Sequence, residues 1–184
     1  MLRKLMMIVV VMVMVCFISN NSYAGWTDSW DFNIMGINPK HFKDRKPLPI
    51  IGGAIISFIV HEGGHLLVAE LNGGASFDTD RFCVVMEKYH YHSHDTQQLF
   101  HGAGFYAQLI TGGILTAIPA TRHLDFTLGF NGFTTFNTAF YTITGGTNDD
   151  TSDIKQLDNG ELIGGLTTIA SGTLTYINLK KPVK

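Results

Sequence analysis

Residues 48–71 read LPIIGGAIISFIVHEGGHLLVAEL, an apolar stretch interrupted by two histidines and a glutamate. Its length and apolarity suit a helix that crosses a bilayer, for which about 20 residues are needed. Histidines four positions apart on a helix lie about 40° apart around its axis, so His61 and His65 can both reach one metal ion. Ionisable side chains are costly in a membrane helix and usually mark a functional site there. The stretch therefore predicts both the fold class and the position of the site.

The composition favours a membrane protein with one domain. The chain has 184 residues, of which 15% are charged, against about 25% in a typical soluble domain, and its mean hydropathy is positive. A formal net charge of -2 argues against a nucleic-acid partner, since such partners need a strongly basic surface. We expect a lipid bilayer and a membrane protein or peptide as partners instead.

The N-terminal segment, residues 1–24, has the three-part pattern of a secretory signal peptide. Two basic residues precede the apolar stretch 5–18, and Ser22-Tyr23-Ala24 suits a cleavage site. An uncleaved N-terminal anchor is the alternative. Residues 25–47, which are rich in tryptophan and lysine, predict an interfacial lead-in, or else an ordinary exposed one.

Four apolar segments follow the lead-in, at residues 48–71, 99–119, roughly 126–144, and 162–179. The first two predict membrane helices by length and apolarity. The last two contain β-branched residues that would also suit strands, but small residues common at membrane-helix contacts favour helices; these are Gly112, Gly113, Gly164 and Gly165. We therefore predict an all-α, polytopic membrane helix bundle over residues 48–184.

The connection between the first two segments contains a turn signal, Asn72-Gly73-Gly74, and then alternates in polarity over residues 82–91. This pattern predicts a short hairpin or re-entrant loop between the first two core helices. His90, His92 and His94 alternate, so on a strand they would share one face and could form a second metal site. A solvated loop is the alternative for these histidines.

The chemistry of the His-Glu-x-x-His pattern is that of a zinc hydrolase, in which Zn²⁺ takes three protein ligands and keeps one position for water. His61 and His65 supply two ligands, and Glu62 can accept a proton as the activated water attacks a carbonyl. After three helix crossings the chain returns to the same face with a cluster of acids. We favour Asp150 as the third ligand, then Asp153 and then Asp149. A helix-capping turn is the alternative role of that cluster.

The segment Val60-His61-Glu62-Gly63-Gly64-His65-Leu66-Leu67 resembles the zinc motif of the site-two protease family of intramembrane metalloproteases. The similarity extends weakly to residues 102–108, to Asn137 and to the acidic cluster. It implies a three-helix metalloprotease core, with two histidines and an aspartate as metal ligands and Glu62 as the catalytic acid and base. The chain departs from the family pattern at the third ligand, because Asp150 precedes Thr151 instead of standing in Leu-Asp-Gly.

The leading functional prediction is thus an intramembrane zinc metalloprotease that hydrolyses peptide bonds in or near the bilayer. A catalytically silent membrane protein with a metal-binding helix and a secreted soluble zinc peptidase are the alternatives. We expect an integral membrane protein of the inner or plasma membrane of a bacterium. A signal peptide would place the site on the cytosolic face, whereas most lysines and arginines fall on the opposite face, so the orientation stays open.

Overall fold

A computed structural model describes residues 45–79, 83–86, 92–144 and 153–180. This part of the chain is mostly helical, as predicted, with a short two-stranded hairpin. Its elements in chain order are α1 (Pro47–Leu71), β1 (Ser76–Asp78), β2 (Cys83–Val85), α2 (His94–Ala117), α3 (Asp125–Thr144), α4 (Asp153–Gln156) and α5 (Gly160–Leu179). The predictions for the signal peptide and for nearly all of the interfacial lead-in fall outside the described residues.

Four long helices form the bundle: α1 contacts both α2 and α3, while α5 packs mainly against α3. Glycines allow the backbones to approach closely. A Cβ atom at Gly53 would overlap the backbone of Phe126 in α3, and one at Gly64 would overlap the carbonyl of Ala103 in α2. Any larger residue at either position would therefore force α1 away from its neighbours.

Among the glycines that the sequence analysis singled out, Gly112 and Gly164 lie at helix contacts. An added Cβ would meet Asn131 in the first case and Thr142 in the second. Gly113 and Gly165 face open space instead. The small-residue pattern therefore predicted close helix packing correctly at one member of each pair.

The threonine-rich segments form helices rather than strands, and their hydroxyl groups bond within the helix. Thr138 donates to the carbonyl of Thr134 at 2.9 Å, and Thr168 donates to the carbonyl of Gly164 at 2.8 Å. The same four-residue pattern recurs along both α3 and α5. A hydroxyl that is satisfied in this way can be buried between helices at little cost.

The described part of the bundle buries many polar side chains among its apolar ones and exposes large apolar side chains. The buried polar side chains are Ser57, His61, His65, His101, Gln108, Thr116, Thr127, Asn131, Thr134, Thr138, Thr167, Ser171 and Asn178. Large apolar side chains are exposed along the outer faces of the four long helices; among them are Ile55, Ile59, Leu66, Ile110, Ile114, Phe136, Ile143, Leu162, Leu166 and Ile169. By length and composition, one helix in the described part of the chain, α1, could cross a bilayer.

The predicted hairpin is present between α1 and α2, where β1 and β2 pair antiparallel with Phe77 opposite Val84. Gly73 and Gly74 supply the turn after α1, with φ values of 125° and 124° that favour glycine. A small apolar cluster made of Val68, Ala69, Met86, Phe100 and Ala103 packs beneath the hairpin. The hairpin therefore lies directly above the C-terminal half of α1.

Helix α2 begins five residues before the apolar segment that predicted it. Ser93 caps the helix, since its hydroxyl accepts a hydrogen bond from the backbone N–H of Thr96 at 3.1 Å. This polar first turn adds a helical stretch that apolarity alone does not reveal.

Candidate metal centre

Three side chains converge in the bundle interior at the C-terminal half of α1. The Nε2 atoms of His61 and His65 lie 3.2 Å apart. Oδ2 of Asp153, the first residue of α4, lies 3.5 Å from Nε2 of His61 and 3.3 Å from Nε2 of His65. Both histidines are buried, and the three residues together could hold a metal ion.

Hydrogen bonds on the far side of each imidazole determine which nitrogen carries the proton. Nδ1 of His65 lies 2.7 Å from the carbonyl oxygen of Phe100, which can only accept, so this nitrogen is the donor. Nδ1 of His61 lies 3.1 Å from Oε1 of Gln108. The amide nitrogen of Gln108 donates to the carbonyl and hydroxyl oxygens of Ser57 at 3.1 and 2.9 Å, which fixes the direction of the amide. His61 is therefore also protonated at Nδ1.

With both Nδ1 atoms protonated, the lone pairs of both Nε2 atoms face the carboxylate of Asp153. Three electron-rich atoms then lie within 3.5 Å of one another in a buried place. Such an arrangement is unfavourable unless a cation, either a metal ion or added protons, lies between the atoms. The donor set and its orientation thus fit a metal ion.

The carboxyl group of Asp153 is held in its ionised form. Burial by itself would raise the pKa of Asp153; when protons rather than a metal ion lie between the three atoms, attraction to protonated His65 and hydrogen bonds from His101, His61 and His65 lower that pKa well below its usual range. An ionised carboxylate is the form that binds a metal ion, so the third ligand is available over the physiological pH range.

Helix α2 shapes the surroundings of the cluster. His101 Nδ1 lies 3.2 Å from Oδ1 of Asp153, whereas Oδ2 is the oxygen that contacts His61 and His65. Gly104 makes room for the His61 ring, because an added Cβ would come within 2.5 to 2.7 Å of three ring atoms. The ring also packs edge-on against Phe105. The position of His61 is therefore set by contacts with α2.

Glu62 follows His61 on α1, where its half-buried carboxylate is held by the hairpin. Oε2 of Glu62 accepts a hydrogen bond from the backbone N–H of Val84 in β2 at 2.7 Å. This N–H points toward α1 rather than toward the paired strand β1. The hairpin therefore fixes a carboxylate next to the histidine cluster.

The structure thus brings together His61, His65 and Asp153, the second choice among the predicted acids. The favoured Asp150, and Asp149, lie outside the described residues. Among the three alternating histidines, His92 Nε2 lies 3.1 Å from the carbonyl oxygen of Asn72, and His94 Nε2 lies 2.7 Å from Oδ2 of Asp158. These two histidines have separate partners. The third, His90, is likewise outside the described residues.

Two residues of the centre were missed by the sequence analysis, His101 and Gln108. They lie seven positions apart on α2, which places them on one face of the helix. Both are polar residues in or next to an apolar segment, the same signal that singled out His61 and His65. Applying that signal to α2 would have found them.

Comparison of the chain with protein-family models, with curated proteins and with solved structures finds no match. The geometry of the centre and the chemistry of its residues therefore carry the functional argument.

Proposed function

We propose that this chain is an integral membrane protein and an intramembrane zinc metalloprotease similar to the site-two protease family. Its active site is the buried centre. The single observation that carries the proposal is the convergence of two imidazole lone pairs and a carboxylate oxygen beside Glu62, inside a helix bundle. On this proposal the substrates are membrane proteins or peptides cleaved in or near the bilayer. The expected location is the inner or plasma membrane of a bacterium.

The spacing of the three ligand atoms fits a tetrahedral ion of the size of zinc. Zinc lies about 2.0 to 2.1 Å from its nitrogen ligands, so the edges of a zinc-centred tetrahedron are about 3.3 Å long. The three edges among His61 Nε2, His65 Nε2 and Asp153 Oδ2 measure 3.2, 3.3 and 3.5 Å. Two histidines and one carboxylate leave the fourth tetrahedral position for reactants, which is typical of catalytic zinc.

The distribution of polar and apolar side chains supports a polytopic membrane bundle. Each of the four long helices exposes large apolar residues, and the helices bury many hydroxyl and amide groups between them. In water such an arrangement would expose apolar surface on every side of the molecule, whereas in lipid it is favourable. On this proposal α2, α3 and α5 lie in the bilayer together with α1.

The residues of the chain have separate tasks in the proposed reaction. When bound, zinc supplies a Lewis acid that polarises the peptide carbonyl and makes water acidic. Glu62 accepts a proton from the attacking water and passes it to the leaving amine. The N–H of Val84 orients Glu62 for this transfer. Gln108 and the Phe100 carbonyl keep both Nε2 atoms directed at the metal.

The test is a comparison of Glu62→Gln with Glu70→Gln in protein purified in detergent. Both glutamates lie on α1, but Glu70 is exposed and more than one helical turn beyond the cluster, which makes it a matched control. With a membrane-segment peptide as substrate, we expect Glu62→Gln to lose about 100-fold or more of the cleavage rate while it keeps its zinc. Glu70→Gln should cleave like the wild type.

The two alternatives give different results in the same preparation. A silent metal-binding protein would hold zinc but cleave nothing, and Glu62→Gln would leave its cellular role intact. A soluble peptidase would be released from membranes by carbonate extraction, which an integral protein resists. Zinc-dependent cleavage that survives in Glu62→Gln would contradict the assigned role of Glu62.

A further inference from the structure

The two oxygens of the Asp153 carboxylate face different partners. Oδ2 faces both ligand histidines, and Oδ1 lies 3.2 Å from Nδ1 of His101. The side chains of His101 and Asp153 are only 10% and 18% exposed, so water competes little for this contact. A carboxylate with one oxygen already engaged by a donor has one oxygen left for a metal ion.

Asp153 also needs support from another element, because the element that carries it is short. Helix α4 has four residues, and Asp153 is the first of them. A single helical turn gives little fixed geometry by itself. His101, in contrast, lies on the 24-residue helix α2, whose position is set by contacts with α1, α3 and α5. The rigid partner in the pair is therefore His101.

Helix α2 contributes none of the three ligands, yet it provides a hydrogen-bond partner for each of them. The Phe100 carbonyl accepts from His65, Gln108 accepts from His61, and His101 contacts Asp153. One rotation or shift of α2 would therefore disturb all three ligands together. In metal centres, partners of this kind fix the orientation of the ligands and raise affinity for the metal.

We propose that His101 is a positioning residue that holds Asp153 as a one-oxygen ligand and so keeps one coordination position of the metal open. This inference rests on the proposed function, since it concerns the same centre. His101 donates from Nδ1 to Oδ1 of Asp153 and acts on the metal only through that carboxylate. Without His101 the carboxylate would be free to rotate out of the centre or to bind through both oxygens.

The test is zinc affinity, measured by competition with a chelator on detergent-purified full-length chain. His101→Phe keeps an aromatic ring but removes the donor, and we expect it to weaken zinc binding by about 10-fold to 100-fold. His101→Asn restores a donor at the same distance from the backbone and should recover affinity to within a few-fold of wild type. His94→Phe, at an exposed histidine on the same helix with its own carboxylate partner, should bind zinc like the wild type.

Thermal unfolding of the zinc-free protein, compared between wild type and each variant, shows whether a variant loses zinc affinity through lost positioning or through damaged packing. Equal zinc affinity in His101→Phe and wild type would overturn the inference while leaving the proposed function intact. So would a loss of affinity in His101→Asn as large as that in His101→Phe, because it would show that the donor does not matter. A wild type that binds no zinc would overturn the proposed function and the inference together. If His101→Phe does not fold, His101→Leu takes its place in the comparison.

Discussion

The two ends of the helix bundle both bury polar groups, but they satisfy those groups in different ways. At the end where α1 begins, donors and acceptors meet one another. At the candidate metal centre, near the other end of α1, two imidazole nitrogens and a carboxylate oxygen meet as three acceptors when both histidines are neutral. The first network pairs its charged groups without any added ion, whereas the second needs a cation.

The first network is built around Arg45, whose side chain is only 2% exposed. Its guanidinium donates to the Asp125 carboxylate at 3.0 Å and to the carbonyl oxygens of His123, Asn178 and Leu179 at 3.0 to 3.1 Å. The last two carbonyls belong to the C-terminal end of α5, where a positive charge is favourable. This group therefore joins the start of α1 to α3 and α5.

A pair of asparagines continues this network inward. Asn131 donates to Oδ1 of Asn178 at 2.7 Å, and Asn178 donates to the carbonyl of Arg122 at 2.7 Å. Oδ1 of Asn131 lacks a hydrogen-bond partner among the described residues and lies against Gly112. The contrast teaches that buried polarity alone does not identify a functional site. An excess of converging acceptors marks a place where a cation could bind.

The largest expected effect is on the network around Arg45. Arg45→Leu would leave the Asp125 carboxylate and several carbonyls without their donor, and we expect a loss of about 3 to 5 kcal/mol in the free energy of unfolding. The folded fraction should still bind zinc. Lys46→Leu is the control, since Lys46 contacts Asp125 through its backbone N–H rather than its side chain. Thermal unfolding in detergent measures both. If Arg45→Leu lost its zinc but kept its stability, this would contradict the claim that one end of the bundle stabilises the fold and the other binds the metal.

A smaller effect is expected at the contact between α2 and His61. Gly104→Ala places a methyl group in the space that the His61 ring occupies. We expect this substitution to cost about 1 to 3 kcal/mol in stability and to weaken zinc binding. Gly113→Ala, on the same helix but facing open space, should be neutral or stabilising by up to about 1 kcal/mol. Equal zinc affinity in the two variants would show that His61 does not depend on α2.

The smallest effect is expected at the surface, where His94 pairs with Asp158 at the polar start of α2, ahead of the apolar segment. The hydrogen bond and the charge of Asp158 raise the pKa of His94 above its ordinary value. The pair therefore stabilises the fold below the pKa of unfolded histidine, and this contribution is lost as pH rises through the raised pKa. A histidine NMR titration should show the shift, and Asp158→Asn should abolish it. An unshifted His94 in wild type would contradict the contact.

The sequence was informative where local spacing determines geometry. Four-residue spacing placed His61 and His65 together, and apolar length located the long helices. It could not choose among Asp149, Asp150 and Asp153, because that choice depends on how the chain turns after α3. Nor did it show that α2 faces α1 with His101 and Gln108, since the rotation of a helix about its axis is set by packing.

The central claim is that His61, His65 and Asp153 form one zinc centre. The most direct measurement is the zinc content of detergent-purified protein from metal-replete cells, for wild type, Asp153→Asn, Asp150→Asn and Asp158→Asn. We predict one zinc ion per chain in all of them except Asp153→Asn, which should lose it. Wild type without zinc, or Asp153→Asn with a full complement of zinc, would contradict the account.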